Sequence, residues 1–153
     1  MKTSNRWLMV FGIGIAVLVV VTVVLVMALP AKVDLLPEST PEGVVQRFLM
    51  AVQDGDLARA FTYMDVVEQG KRLTYADWSQ FLAPPRGDQN PWKATLGETR
   101  TTGDKATVEV VVDVFRPGGP FENPVDTFTV AYELTLKDGN WRITTRPPLW
   151  FVY

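Results

Sequence analysis

The chain contains no cysteine and no histidine among its 153 residues. The first absence excludes disulfides, thiol chemistry, cysteine-ligated zinc and lipid attachment through cysteine. The second removes the commonest general base and the commonest metal ligand. Basic residues are in the minority: 15 Lys and Arg stand against 17 Asp and Glu, a formal net charge of −2. From residue 38 onward the balance is twelve against sixteen, a net of −4. Nucleic acid calls for a concentrated basic surface, so it is not an expected partner. No cofactor and no metal are expected either, since Asp54 and Asp56, two residues apart, offer a hard cation too few oxygens.

What the chain has in plenty is apolar sequence near its start. Trp7 to Leu29, WLMVFGIGIAVLVVVTVVLVMAL, is a run of 23 residues without a charge. As a helix it would reach about 35 Å, enough for a hydrocarbon core of about 30 Å with slight tilt. β-Branched residues are common in it, but in lipid the backbone must satisfy its own hydrogen bonds, which leaves helix as the form. Gly12 and Gly14 are not spaced as a Gly-x-x-x-Gly pair, so no helix-dimer motif is read. A cleaved signal peptide is the competing reading, with a weak site near Ala28. Its apolar core runs about 7–15 residues, much shorter than this segment. The expectation is a retained anchor at residues 7–29 in contact with membrane lipid. Lys2 and Arg6 precede it and only Lys32 follows closely, so residues 1–6 are placed in the cytoplasm and the rest outside it. The protein is therefore expected to be a single-pass plasma-membrane protein with an extracytoplasmic C-terminal domain.

Residues 30–39 read as a short, semi-extended linker, with prolines at 30 and 37 and a reach of at most about 3 Å per residue. Thr40-Pro41 then starts a helix, with Thr as N-cap, Pro at the first helical position and Glu42 in the first turn. Val44, Val45, Phe48, Leu49 and Val52 form its apolar face. The stretch Asp54-Gly55-Asp56 stops that helix and caps a second at once, whose stripe is Leu57, Ala60, Phe61 and Met64. Thr74 and Asp77 resemble a capping box for a third helix with Tyr75, Trp78, Phe81 and Leu82 inward, ended by Pro84-Pro85.

After Pro91 the apolar period changes to two. KATVEVVVDVF puts Ala106, Val108, Val110, Val112 and Val114 on one face and Asp113 on the other. FTVAYELTL puts Phe128, Val130, Tyr132, Leu134 and Leu136 inward. Asp138-Gly139 is a hairpin turn into Trp141, Ile143 and Thr145. An earlier strand covers about residues 93–101. The expected domain, residues 40–153, is thus α+β: three helices on a curled four-stranded antiparallel sheet, apolar on one side and wetted on the other.

These features together resemble the cone-shaped nuclear transport factor 2-like superfamily, in particular its membrane-anchored extracytoplasmic, lumazine-binding-like members of unknown role. The resemblance rests on PEGVVQRFLMAVQDGDLARAFTYM, TYADWSQFLA and YELTLKDGNWRI and covers roughly residues 40–146. It implies the fold. It leaves the task open, because the superfamily includes isomerases, dehydratases, transport adaptors and domains without chemistry.

Enzymes of that superfamily work with a Tyr–Asp or His–Asp pair inside the cone, and the absence of histidine removes the second pair. For the first, Tyr63, Tyr75 and Tyr132 are available with Asp65 or Asp113. Alternation puts Asp113 in solvent, and Asp65 follows the second helix where a turn is expected, so no catalytic residue is assigned. Tyr63, Trp78, Trp92 and Tyr132 are the candidate ligand-contacting residues, against the blander reading of core filling. The Arg-Gly-Asp at residues 86–88 reads as part of a Pro/Gly turn. The final PPLWFVY ends in apolar residues that must be hidden. Leu149, Trp150, Phe151 and Tyr153 either pack on their own domain, which is favoured, or dock on a partner or the membrane interface. The expected role is a membrane-tethered, non-enzymatic binding or accessory module that contacts a membrane-protein partner or a small ligand in the cone. The alternatives are a small isomerase or dehydratase using Tyr and Asp, and a spacer without ligand.

Overall fold

The computed structural model describes residues 11–22, 34–80, 82, 91–116, 119, 124–149 and 151. The chain forms two compact units, Met1–Asp34 and Leu35–Tyr153. In the first, residues 11–22 are helical (α1), and each is exposed. The Thr22 hydroxyl bonds back to the Leu18 carbonyl at 2.8 Å, a way for a polar side chain to satisfy itself within a helix. No helix among the described residues is long and apolar enough to cross a membrane. Residues 7–10 and 23–29, on which the expected span also rests, lie outside the described residues.

The second unit begins with α2, Pro41–Gln53. It starts as its sequence dictates: the Gly43 amide donates to Thr40 Oγ1 at 3.1 Å, and Pro41 takes a position whose amide has no partner in a helix. At its end the Asp54, Gly55 and Asp56 amides bond back to Met50, Val52 and Ala51, with Gly55 in the left-handed region at φ +73. Asp56 then caps α3, Leu57–Phe61, through the Arg59 amide at 3.0 Å. Two helices thus meet with almost no loop. A short hairpin, β1 (Val67–Glu68) and β2 (Lys71–Arg72), follows. Next comes α4, Tyr75–Gln80, where Thr74 and Asp77 form the reciprocal cap: the Thr74 hydroxyl donates to Asp77 Oδ2 at 2.6 Å and accepts from the Asp77 amide at 3.2 Å.

The main sheet is antiparallel, in the order β3 (Trp92–Thr102), β4 (Lys105–Phe115), β5 (Val125–Lys137) and β6 (Asn140–Ile143). Its inner face carries the even-numbered residues from Ala106 to Val114, together with Val130, Tyr132, Leu134, Trp141 and Ile143, all buried with α2 and Trp78 in one core. A bulge falls in β3 between Leu96 and Thr99. At Gly97 an added Cβ would lie 3.2 Å from the Glu109 carbonyl oxygen, a tight approach, and a bulge bends its strand. The outer edge of β6 is covered by residues 63–65: Ile143 donates to Tyr63 O at 3.0 Å, and Asp65 donates to Ile143 O at 2.8 Å.

The α+β order, the helix caps and the four-stranded sheet follow the sequence pattern, and several details differ from it. Met64 is not on the second helix, which ends at Phe61; it lies in an extended segment bridged to Ile143. Tyr75 is 42% exposed rather than inward, because the first turn of α4 faces water. The last strand stops at Ile143, before Thr145. Leu136, expected inside, is partly exposed where β5 runs past the core. The β1–β2 hairpin was not expected; its turn uses Gln69 and Gly70 at φ 51 and 77, without the Asn-Gly or Asp-Gly that marks such turns in a sequence. Phe81 and Pro84-Pro85 lie outside the described residues.

Candidate functional site

The concave side of the sheet is an aromatic interior. Trp78, on α4, reaches it because the Thr74 cap fixes the helix start, and its ring lies 6.4 Å from Phe48 and 5.7 Å from Phe61. Phe48, on α2, meets the Tyr132 ring edge-on at 5.9 Å, a favoured arrangement for aromatic pairs. Tyr63 is buried beside them, its backbone carbonyl held by Ile143. Phe48, Trp78 and Tyr132 are each less than 2% exposed. Among the described residues, the side chains of this interior pack into one core.

Two hydroxyls on this side of the sheet lack a partner among the described residues. The Tyr132 hydroxyl is buried and makes no hydrogen bond. Burial pushes the phenol well above its ordinary value of 10.0, so it remains a neutral hydroxyl. The Thr99 hydroxyl is likewise buried and unpartnered. Thr99 pairs with Val108, and Val108 with Tyr132, so both lie on one row across the sheet. No carboxylate is hydrogen-bonded to Tyr132 among the described residues.

Asp65 is the residue that sequence reasoning misplaced. It was expected in a solvated turn and is instead 7% exposed, the only buried charged residue among those described. Its Oδ1 accepts from Arg72 Nε at 2.5 Å and its Oδ2 from Lys137 Nζ at 2.5 Å. The Lys137 hydrogen bond, helped by Arg72 and opposed by burial, holds the carboxyl below its ordinary value of 3.8. Nothing in the local sequence signals this, because Lys137 arrives from the far end of β5. Nearby, Arg146 pairs with Glu68 at 2.8 Å, and Arg142 donates to Thr62 O at 3.1 Å. The cluster ties the β1–β2 hairpin and the segment before it to the last strands. Chemically, a carboxylate with both oxygens engaged and a lowered pKa is a poor base and carries no proton to give at neutral pH.

Asp113 lies on the opposite face of β4, where its Oδ1 accepts from the Thr127 hydroxyl at 2.7 Å. Trp92, at the start of β3, is half-buried and meets Phe151 edge-on at 5.3 Å. Leu149 and Phe151 are buried in the core of their own domain; Trp150 and Tyr153 lie outside the described residues. Tyr63, Trp78 and Tyr132 are thus brought into one interior, while Trp92 joins the C-terminal segment. On the outer face of the sheet, Lys105, Thr107, Glu133, Thr135 and Thr144 line an open depression of about 370 Å³. Among the described residues, no group of acidic side chains is placed to hold a metal ion.

No family model matches the chain, and neither does any curated protein. Several solved structures are similar to it. An NTF2-like (nuclear transport factor 2-like) protein of unknown function from Pseudomonas putida KT2440 is 16% identical, over 69% of this chain and 80% of that one, with a TM-score of 0.45. The association domain of C. elegans CaMKII is 20% identical over 66% and 85%, with a TM-score of 0.44. An LEH-like epoxide hydrolase from M. tuberculosis is 18% identical over 71% and 79%, with a TM-score of 0.41. At such identities and scores the likeness carries no argument about chemistry. Among these solved structures is one described as NTF2-like, the superfamily that residues 40–146 resemble.

Proposed function

We propose that the chain is a membrane-tethered extracytoplasmic module, without catalytic activity, that contacts a partner protein in a membrane assembly. The observation that carries this reading is the packed interior: Phe48, Trp78 and Tyr132 are each less than 2% exposed and meet ring to ring. The one buried carboxylate among the described residues, Asp65, is neutralised by Lys137 and Arg72, which argues against acid–base work. The apolar run from Trp7 to Leu29, with residues 11–22 helical and exposed, supports the tether. The charges before that run support an inward N-terminus.

The test uses the full chain in bacterial membranes. It should resist alkaline carbonate extraction, and protease added to spheroplasts should digest residues 38–153. Protection of the domain would overturn the topology. Purified in detergent, the chain should leave the α-protons of simple cyclic enones in deuterium oxide exchanging at the buffer rate. Exchange accelerated tenfold or more, and abolished by Tyr132→Phe, would overturn the non-enzymatic reading in favour of an enolising enzyme.

A further inference from the structure

The segment that would join a membrane anchor to the domain is gripped by α2 on both sides of one residue. The Leu36 amide donates to Gln46 Oε1 at 2.8 Å, and the Leu36 carbonyl accepts from Arg47 Nη1 at 2.7 Å. The same Arg47 nitrogen also donates to Gly43 O at 3.0 Å. One residue on, the Pro37 carbonyl accepts from both the amide and the hydroxyl of Thr40, at 3.1 and 2.9 Å. It lies so close to α2 that a Cβ on Gly43 would stand 1.9 Å from its oxygen.

Ordinary folding needs do not require this grip. Leu36 is exposed, so water would satisfy its backbone groups and burial does not force the bonds. The start of α2 is already capped by Thr40, so Leu36 is not needed to finish the helix. Two adjacent side chains of one helix nevertheless converge on the amide and carbonyl of one residue, and a glycine clears the approach.

We propose that Gln46, Arg47 and Gly43 form a latch that fixes the tether on the domain. The free length of chain between a membrane anchor and the domain is thereby shortened. The proposal rests on the anchored reading above. The gain in definition is large. At about 3 Å per residue, a tether free from Leu29 to Pro41 reaches about 36 Å, whereas one latched at Leu36 reaches about 21 Å. A domain on the longer tether would spread its contacts over the larger volume.

The absence of cysteine makes the test direct. The full chain carrying Thr101→Cys, at an exposed position near the end of β3, is labelled with a donor and placed in nanodiscs containing acceptor lipid. The latched chain gives one narrow distribution of label-to-bilayer distances and a Leu36 amide that exchanges slowly. With Gln46→Ala and Arg47→Ala together, the distribution broadens and extends outward by up to about 15 Å, the length of five freed residues, and the Leu36 amide loses its protection. Amides of β4 remain protected in both, which separates release of the latch from unfolding. Identical distributions, or a Leu36 amide as fast in the parent as in the double variant, would overturn the latch. Failure of the chain to enter nanodiscs would overturn the anchored reading and the shortened tether with it, whereas entry with an already broad distribution overturns the latch alone.

Discussion

Lys137 and Asp65 are 72 positions apart, yet the Lys137 ammonium meets the Asp65 carboxylate at 2.5 Å. This contact joins the end of β5 to the segment that follows α3. Arg72 completes the arrangement from β2. The carboxylate is buried while its partners are largely exposed, at 45% and 74% of their side-chain surface. Water therefore screens part of the attraction, and the interaction acts chiefly by fixing where residues 62–72 lie.

Asp65→Asn should lower stability by about 1–3 kcal/mol, the range for removing a charged hydrogen-bond partner at a buried position. The effect should depend on pH in a definite direction. The folded carboxyl titrates below its ordinary value of 3.8, so its contribution is complete above that value. It is lost as the pH falls through the lower folded value. Urea unfolding followed between roughly pH 2 and 6 should show parent and variant converging at the acid end. A constant difference across that range would show that Asp65 acts by shape alone.

Tyr132→Phe removes a hydroxyl that has no partner. Since such a group contributes a desolvation cost and no bond, the variant should be unchanged or up to about 1 kcal/mol more stable. Thermal unfolding measures it directly. A loss above that size would show that the phenol is bonded to something in solution.

Deleting residues 149–153 should destabilise the domain in the absence of lipid or partner. Leu149 and Phe151 are buried, and two such side chains contribute about 3–6 kcal/mol in all. The melting temperature of the full chain in detergent should fall accordingly. An unchanged melting curve would make this tail a docking surface.

Asp113→Asn should alter stability by less than about 0.5 kcal/mol. Its carboxylate lies on the outer face, bonded to the Thr127 hydroxyl, and an amide oxygen accepts the same bond. A large effect on stability, measured by urea unfolding, would place Asp113 in a role its position does not suggest.

The elements themselves were legible in the residues because each is encoded locally. Thr40-Pro41 carries its own cap, Gly55 its own left-handed turn, and Lys105–Phe115 an alternation that admits one buried face. The inward placement of Trp78 and Tyr132 followed from the same periodicities. Tertiary structure alone decided Asp65, because the cations that make its burial tolerable come from β2 and from the far end of β5. No window around Asp65 contains Lys137. It likewise decided that Tyr75 is exposed, since only the packing of α4 against Phe48 and Phe61 selects which of its aromatic residues points inward. The latch at Leu36 belongs to the same class. Gln46 and Arg47 read along the helix as ordinary polar residues, and their role exists only because the chain before Thr40 folds back onto them. Periodicity specifies which face of an element is apolar; which polar side chains meet across the fold is set by distances that no local pattern contains.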